Sequence, residues 1–437
     1  MNTAREPDAV VLVLPLALLM AVVLVVLYHA RRSGGRGAYR SVPLRWRGQA
    51  TAPPSEAGAW AGEPPVEELD AEARGLLIRL DDAVLARIEE LDFAAEQAGE
   101  EATRPFRAAV ADAGAEAGET LRLRHRLDDP AVRRDETERH RRLHEIIGRC
   151  AHARARLDSV AGSFGQARGL PGRAAEALEN ARRRARALPE RIDAARARWH
   201  ELAARYPETA LTPVRGHPAA AGERLSAAEG RLRRAERALA EDDERSAADA
   251  VRAAERAIGQ AETLADGVLR RGRELAAAEN ARAEAVRAAE HDLAEAPAVP
   301  ALRDPVTRAQ AGLAGALRED DPFAALRRLA DTGTPLVRAL APDRDREAGN
   351  RRARVLLDHA VLTADSTLSA TRDYVTTHRG MVGSAARGRL AEAEHQRDRA
   401  LATAPHDTTA ALPFAWRADA LARQARAAAV RDAGSVA

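Results

Sequence analysis

From Leu69 onward, apolar residues recur at alternating steps of three and four, the period of one face of an α-helix. Leu77, Leu80, Val84, Ile88 and Leu91 form a first stripe. Leu143, Ile146, Cys150, Ala153, Leu157, Val160 and Phe164 form a stricter one. Leu178, Ala181, Ala185, Leu188, Ile192, Ala195, Trp199, Leu202 and Tyr206 make the longest. Leu225, Ala228, Leu232, Ala235 and Leu239 follow, then Val251, Ala254, Ile258, Ala261, Ala265 and Val268. Near the end Val361, Leu368, Val375 and Val382 recur every seven residues. Sustained three-four spacing predicts the seam of a helix pair or bundle. The seams are rich in alanine, which lets helix axes approach closely but buries little apolar area per turn. Each helix therefore needs a continuous partner, either a neighbouring helix folded back or a second copy of the chain.

Breaks between stripes are explicit. Asp129-Pro130, Asp304-Pro305 and Asp321-Pro322 each offer an aspartate cap followed by proline at the first helical position. Gly169-Leu-Pro171-Gly172 predicts a turn, and Pro207 to Pro218 and Pro297 to Pro300 predict connections. Short connections favour antiparallel neighbours. The expected fold is all-α: elongated antiparallel hairpins or three-helix units forming a coiled-coil bundle. The helical part divides into a first region at 66–206, a connection at 207–218, a second region at 219–296 and a third at 297–437. Ala238-Leu239-Ala-Glu241-Asp242-Asp243 echoes Ala316-Leu317-Arg-Glu319-Asp320-Asp321, as similar helical hairpins would.

The beginning of the chain follows another pattern. Ala9 to Tyr28 is a run without a charge, and as a helix it would be about 30 Å long, the thickness of a bilayer's hydrocarbon core. The residues before it, 1–8, are not basic, and Arg31 and Arg32 follow directly, which favours an uncleaved transmembrane helix over a signal peptide. Pro15 inside the run is tolerated in membrane helices. Arg31, Arg32, Arg36, Arg40, Arg45 and Arg47 follow the span with no acid before Glu56. The positive-inside rule then places the N-terminus outside and the long C-terminal part in the cytoplasm. The same arginines, with Tyr39 and Trp46, suit anionic lipid headgroups. The stretch 29–65, first basic and then rich in proline and glycine, reads as a linker.

Composition narrows the picture. Aromatics are only 3% and charged residues 31%, a mixture that belongs to long helices rather than a large α/β core. The chain has no lysine, so arginine carries every positive charge outside histidine. A net charge of +2 argues against a general nucleic-acid binder. Cys150 is the one cysteine, which excludes an intramolecular disulfide.

Chemistry-bearing patterns are sparse. Glu136, His140 and His144 lie four apart on one helix face, where two histidines can share a metal ion. Their order is not the His-Glu-x-x-His pattern, and Arg139, Arg141 and Arg142 crowd the same helix. They are weak metal candidates, and no cofactor is expected. Cys150, on an apolar seam, reads as a buried thiol. His378 reads as a packed or partly exposed core histidine. Asp81-Asp82, Asp242-Asp243 and the run Arg182-Arg183-Arg184 read as solvated charged faces.

Several phrases resemble the helical region that follows the membrane helix in actinobacterial TPM-domain membrane proteins. They include LDDAVLARIEELDFAAEQAGEEATRPFRAAV at 80–110, LRLRHRLDD at 121–129 and RRLHEIIGRC at 141–150. HELAARYPETALTPVRGHP at 200–218, DDPFAALRRLADT at 320–332 and ATRDYVTTHRGMVGSAARGRLAEAE at 370–394 continue the likeness. The resemblance implies an outside-to-inside topology and a cytoplasmic helical part. Those relatives carry an extracytoplasmic TPM domain ahead of the membrane helix, whereas only Met1 to Asp8 precede the span here. None of that domain's activity or metal-binding residues carries over. The layout is also similar to septation-ring regulators of the EzrA type, an architectural likeness only. The leading expectation is a non-enzymatic, membrane-anchored cytoplasmic scaffold or adaptor that meets a protein partner or another copy of itself through its helical seams. The alternatives are a membrane-surface or envelope-stress module that binds anionic lipid, and a metal-dependent enzyme built on Glu136, His140 and His144.

Overall fold

Helices start where the chain supplies a cap. Asp321 Oδ1 accepts from the backbone N–H of Phe323 at 2.9 Å and of Ala324 at 3.3 Å. Asp243 does the same for Ser246, Asp135 for Glu138 and Asp407 for Ala410, each at 2.9 Å. Asp304 behaves differently: it lies inside the first turn, because a 3₁₀ turn at Pro300–Leu302 runs directly into the helix that starts at Arg303. In this computed structural model the described residues are 64–168, 170–340 and 346–434, and no strand occurs among them. The eleven long helices among them are α1 (Val66–Ala98), α2 (Glu100–Arg126), α3 (Glu136–Arg168), α4 (Leu170–Arg205), α5 (His217–Ala240), α6 (Glu244–Glu295), α7 (Arg303–Leu317), α8 (Pro322–Leu340), α9 (Arg346–Thr377), α10 (Ser384–Thr403) and α11 (Thr408–Gly434).

The expected span Ala9 to Tyr28 and the arginines from Arg31 to Arg47 lie outside the described residues. So do the short tail before the span and the linker up to residue 63. Among the described residues no helix is long and apolar enough to cross a membrane.

The stripes become the cores. Helices α1, α2 and α3 pack together around Leu77, Leu80, Val84, Leu121, Leu143, Ile146 and Cys150. Ile88 departs from its stripe and stays 46% exposed. Helices α4, α5 and the first half of α6 enclose Leu178, Leu188, Ile192, Leu232, Val251, Ile258 and Val268. The second half of α6 packs with α7 and α8 around Leu275, Phe323 and Leu326. Helices α9, α10 and α11 share Leu368, Val375, Val382 and Leu390 with a row of alanines. Four three-helix groups result, and α6 belongs to two of them. At 52 residues α6 is about 78 Å long, so it joins the groups as a common spine.

Register can be read from the pairs that touch. In α1 and α2, Asp70 meets Arg124 and Val84 faces Gly114, so the two run antiparallel after the turn at Gly99 (φ +85°). In α4 and α6, Arg184 reaches Glu262 and Arg205 reaches Glu279, so they run parallel. Against α9, α6 is antiparallel, with Arg270 on Asp373 at one end and Asp292 on Arg352 at the other. The sequence echo falls on two hairpin turns, α5 to α6 and α7 to α8, each closed by an aspartate cap. It is shared turn grammar.

Small residues set the closest approaches. A Cβ on Gly312 of α7 would fall 1.8 Å from Thr332 Oγ1 and 2.5 Å from Thr332 Cβ on α8. Thr332 Cβ is fixed to its own backbone and cannot swing aside. Gly312→Ala is therefore expected to cost about 1–3 kcal/mol by overpacking. A further Thr332→Gly change is expected to restore most of that loss. Denaturant unfolding of both variants checks it, and a single variant within about 0.5 kcal/mol of wild type would contradict the packing.

Candidate functional site

Arginine dominates the joints between the helical groups. Arg387 on α10 has a side chain only 1% exposed. It pairs with Asp81 and lies 2.8 Å from Asp82, both on α1. It also donates to the carbonyls of Val382 and Arg379. Arg379 itself reaches Glu89 of α1 at 2.9 Å. Asp81-Asp82, read as solvated in the sequence, are the acceptors of a buried cation. Burial pushes the Asp81 carboxyl above its ordinary value, and Arg387 pulls it back. Arg352 of α9 meets Asp292 of α6 at 2.6 Å. Asp419 of α11 receives Arg327 of α8 at 3.0 Å and the Thr367 hydroxyl of α9 at 2.7 Å. Thus the dockings of α9–α11 on α1–α3 and on the α6–α8 group are each closed by charge-assisted contacts.

The densest of these joints lies where α5 begins, α6 passes, and α9 and α11 close over them. Arg271 of α6 is 6% exposed. Its guanidinium donates twice to the Ala210 carbonyl, at 2.8 and 2.6 Å, and once to Ser366 Oγ at 2.8 Å. It also lies 4.7 Å from the Phe323 ring centroid, a cation–π contact. Ser366 in turn donates its hydroxyl hydrogen bond to Glu274 at 2.7 Å. One residue back, Arg270 pairs with Asp373 of α9. Arg426 of α11 donates to the carbonyls of Ala370 at 2.9 Å and Pro213 at 3.1 Å. Tyr374 and His378 stack with centroids 4.2 Å apart. The ring of His217, at the first turn of α5, is buried beside Gly267 and Asp373. Burial holds the Arg271 and Arg426 guanidiniums below their ordinary values, yet both keep several acceptors.

The residues singled out in the sequence are placed elsewhere. His140 is buried, with Nδ1 3.1 Å from the Glu136 carbonyl and Nε2 3.3 Å from the Pro64 carbonyl. Its ring thus ties α3 to Pro64, two residues before α1. Glu136 and His144 are exposed. Among the described residues no group of three or more His, Cys, Asp or Glu side chains is arranged to hold a metal ion. Cys150 is buried in the first core, and desolvation together with Glu116 pushes its thiol up to about 11. Of the arginine run, Arg182 is held by Glu179 and Glu236, and Arg184 by Glu262 and the Phe93 ring, so the run is largely spent within the fold. His378 is half-buried against Tyr374.

Sequence periodicity did not mark Arg271, Arg387, Asp373 or Asp419. One signal was present: Arg271 precedes Gly272, Arg387 lies between Ala386 and Gly388, and Asp419 between Ala418 and Ala420. A charge flanked by small residues on an apolar stripe marks a place where another helix comes close enough to bury it.

Fold and joints together define an all-α assembly of three-helix groups closed by buried arginine contacts. No family model and no solved structure matches the chain. It is similar to two UPF0603 proteins of Mycobacterium tuberculosis, one from each of two strains. Each is 31% identical over 405 residues, covering 85% of this chain and 58% of the relative. The chain thus spans little more than half the length of the curated relatives it matches. Mycobacteria are actinobacteria, and to that extent the kinship expected from the sequence is met.

Proposed function

We propose that this chain is a membrane-anchored helical scaffold or adaptor, with residues 64–434 as a cytoplasmic body that engages a protein partner. The observation that supports the reading most is the use of charge in the joints. Arg271, Arg327, Arg352 and Arg387 fix successive helical groups in one register instead of converging on a reacting centre. A body so fixed presents its exposed helix faces at constant spacing. The uncharged run from Ala9 to Tyr28 and the six arginines after it support tethering by a single span with the N-terminus outside. The likeness of the helical phrases to the inner part of TPM-domain proteins supports the same topology.

In-cell crosslinking through residues introduced on exposed faces of α5 and α9, followed by mass spectrometry, tests the reading. The expected result is a recurrent contact to one partner protein or to a second copy. Membrane fractionation and accessibility of a cysteine placed in the tail before residue 9 test the tether. The reading fails if the crosslinks return neither partner nor self-contact, or if the protein fractionates away from membranes.

A further inference from the structure

We infer that His217 and Asp373 form a proton-binding site at the joint of α5, α6 and α9, one that moves the tie of α9 from Arg270 to His217 when the carboxylate is protonated. The space that defines it lies over Gly267. A Cβ there would come 3.1 Å from His217 Nδ1 and 3.4 Å from Asp373 Oδ2, so both polar atoms border the volume that the missing side chain leaves. His217 Nδ1 is buried and has no hydrogen-bond partner among the described residues. A backbone hydrogen bond from the ring to Leu264 favours the protonated form, so Leu264 accepts. Since Nδ1 has no partner, the donor assigned by elimination is the ring's other nitrogen. Nδ1 is therefore a lone pair. An ionised Asp373 offers it nothing but a second lone pair. A protonated Asp373 offers an O–H.

The surrounding charges fit this exchange. Arg270 and Glu274 face Asp373 from α6, and Arg372 from α9 itself. Arg426 of α11 and His378, just after α9, face His217. Arg224 of α5 and Tyr374 adjoin His378. Arg426 and Arg270 oppose a charge on His217, and Arg224 and Arg426 one on His378, so His217 is the poorer place for a proton and the carboxylate the better one. Burial pushes Asp373 up to about 6, and Arg270 pulls against it. Burial and Arg426 hold His217 down to about 4. Asp373 gains one proton from solvent, loses its charge against Arg270 and becomes a donor toward Nδ1. No other bond changes.

The signs follow from linkage. The folded value of Asp373 is raised, so its contribution is fully present below the unfolded value of 3.8 and is lost as pH rises through about 6. That of His217 is lowered from 6.5, so its contribution is lost as pH falls from there toward about 4. Across that window the two oppose each other, and pH dependence of overall stability hides the site. Variants expose it.

Hydrogen exchange of peptides covering 366–378 in the purified full chain gives opening constants for wild type and Asp373→Asn at the same pH, where the intrinsic exchange rate cancels. The wild-type to variant ratio is expected to be level from pH 8 to about 6.5. Below that it should fall about tenfold per unit, to a total of about 100-fold near pH 4. A ratio that stays constant from pH 7 to pH 4 overturns the proposal. His217→Phe removes the acceptor and is expected to move the onset to lower pH; an unmoved onset overturns the pairing. Should Asp373→Asn fail to fold, Arg270→Gln keeps the carboxyl and is expected to raise the onset. An onset that stays or falls in that variant also overturns the site.

Discussion

Replacing Arg387 with leucine is expected to lower stability by about 3–5 kcal/mol, the range for removing one partner of a buried charge network. The reason is what remains. Asp81 and Asp82 stay on α1, adjacent and facing a helix that no longer answers them. Asp81 is already held above its ordinary value by desolvation, with Arg387 the main opposing influence, so its removal drives the carboxyl further up. A raised acid value means that stability present at low pH is lost as pH rises. The variant's deficit is therefore expected to be largest at neutral pH and to shrink as pH falls to the unfolded Asp81 value of 3.8 and below, where that carboxyl is neutral in folded and unfolded chains. The carbonyls of Val382 and Arg379 lose their donor as well.

The damage is expected to be local first. Gly388 brings α10 within 3.1 Å (from a Cβ position) of the Leu121 carbonyl on α2, so α9–α11 meet α1–α3 along a narrow seam of small residues. With the charged tie gone, that seam is expected to open before the rest unfolds, and denaturant curves are expected to lose coincidence between probes. Denaturant titration at pH 7 and pH 4 reads the effect. Adding Asp81→Asn and Asp82→Asn to Arg387→Leu is expected to recover most of the loss, since removing a whole buried network costs far less than breaking it. A single variant within about 1 kcal/mol of wild type would show that the joint rests on packing alone.

The second large effect is expected at Asp419. Its side chain is 2% exposed and binds Arg327 from α8, Arg423 from its own helix and the Thr367 hydroxyl from α9. Asp419→Ala strips the acceptor from all three. Arg423 is 54% exposed and turns to water at little cost, whereas Arg327 is 24% exposed and is only partly rescued. About 3 kcal/mol of destabilisation is expected, toward the low end of the range for a broken buried pair because Arg327 keeps some solvent. Asp419→Asn retains one oxygen for Thr367 or Arg327 but not the charge, and is expected to cost about 1–2 kcal/mol. Thermal unfolding of the two variants side by side decides it. Equal losses would mean that the site needs only an acceptor at that position.

Each of these joints was invisible to periodicity for one reason. A three-four stripe says which residues face a partner, and nearly all of those from Leu77 to Val382 whose side chains are described are in the cores, with Ile88 the clear exception. It does not say which partner. Alanine seams are interchangeable in this respect: Ala254, Ala360 and Ala425 offer the same small surface to any helix. The sequence likewise read Asp81-Asp82 and Arg182-Arg183-Arg184 as solvated, because a charge is exposed unless something far along the chain comes to meet it. What met Asp81 lies 306 residues away.

By itself, then, the sequence determined an all-α chain, the positions of several helix breaks and the buried face of the helices that carry a stripe. Those properties are local, set by capping aspartates, prolines and the 3.6-residue period. Tertiary structure alone decided that α6 serves two helical groups, and that α4 packs parallel to it rather than with α1–α3. It also decided that Arg271, Arg387 and Asp419 are buried and Asp373 partly so. Burial of a charge depends on the electrostatics of distant segments brought together, and neither spacing nor composition carries that information.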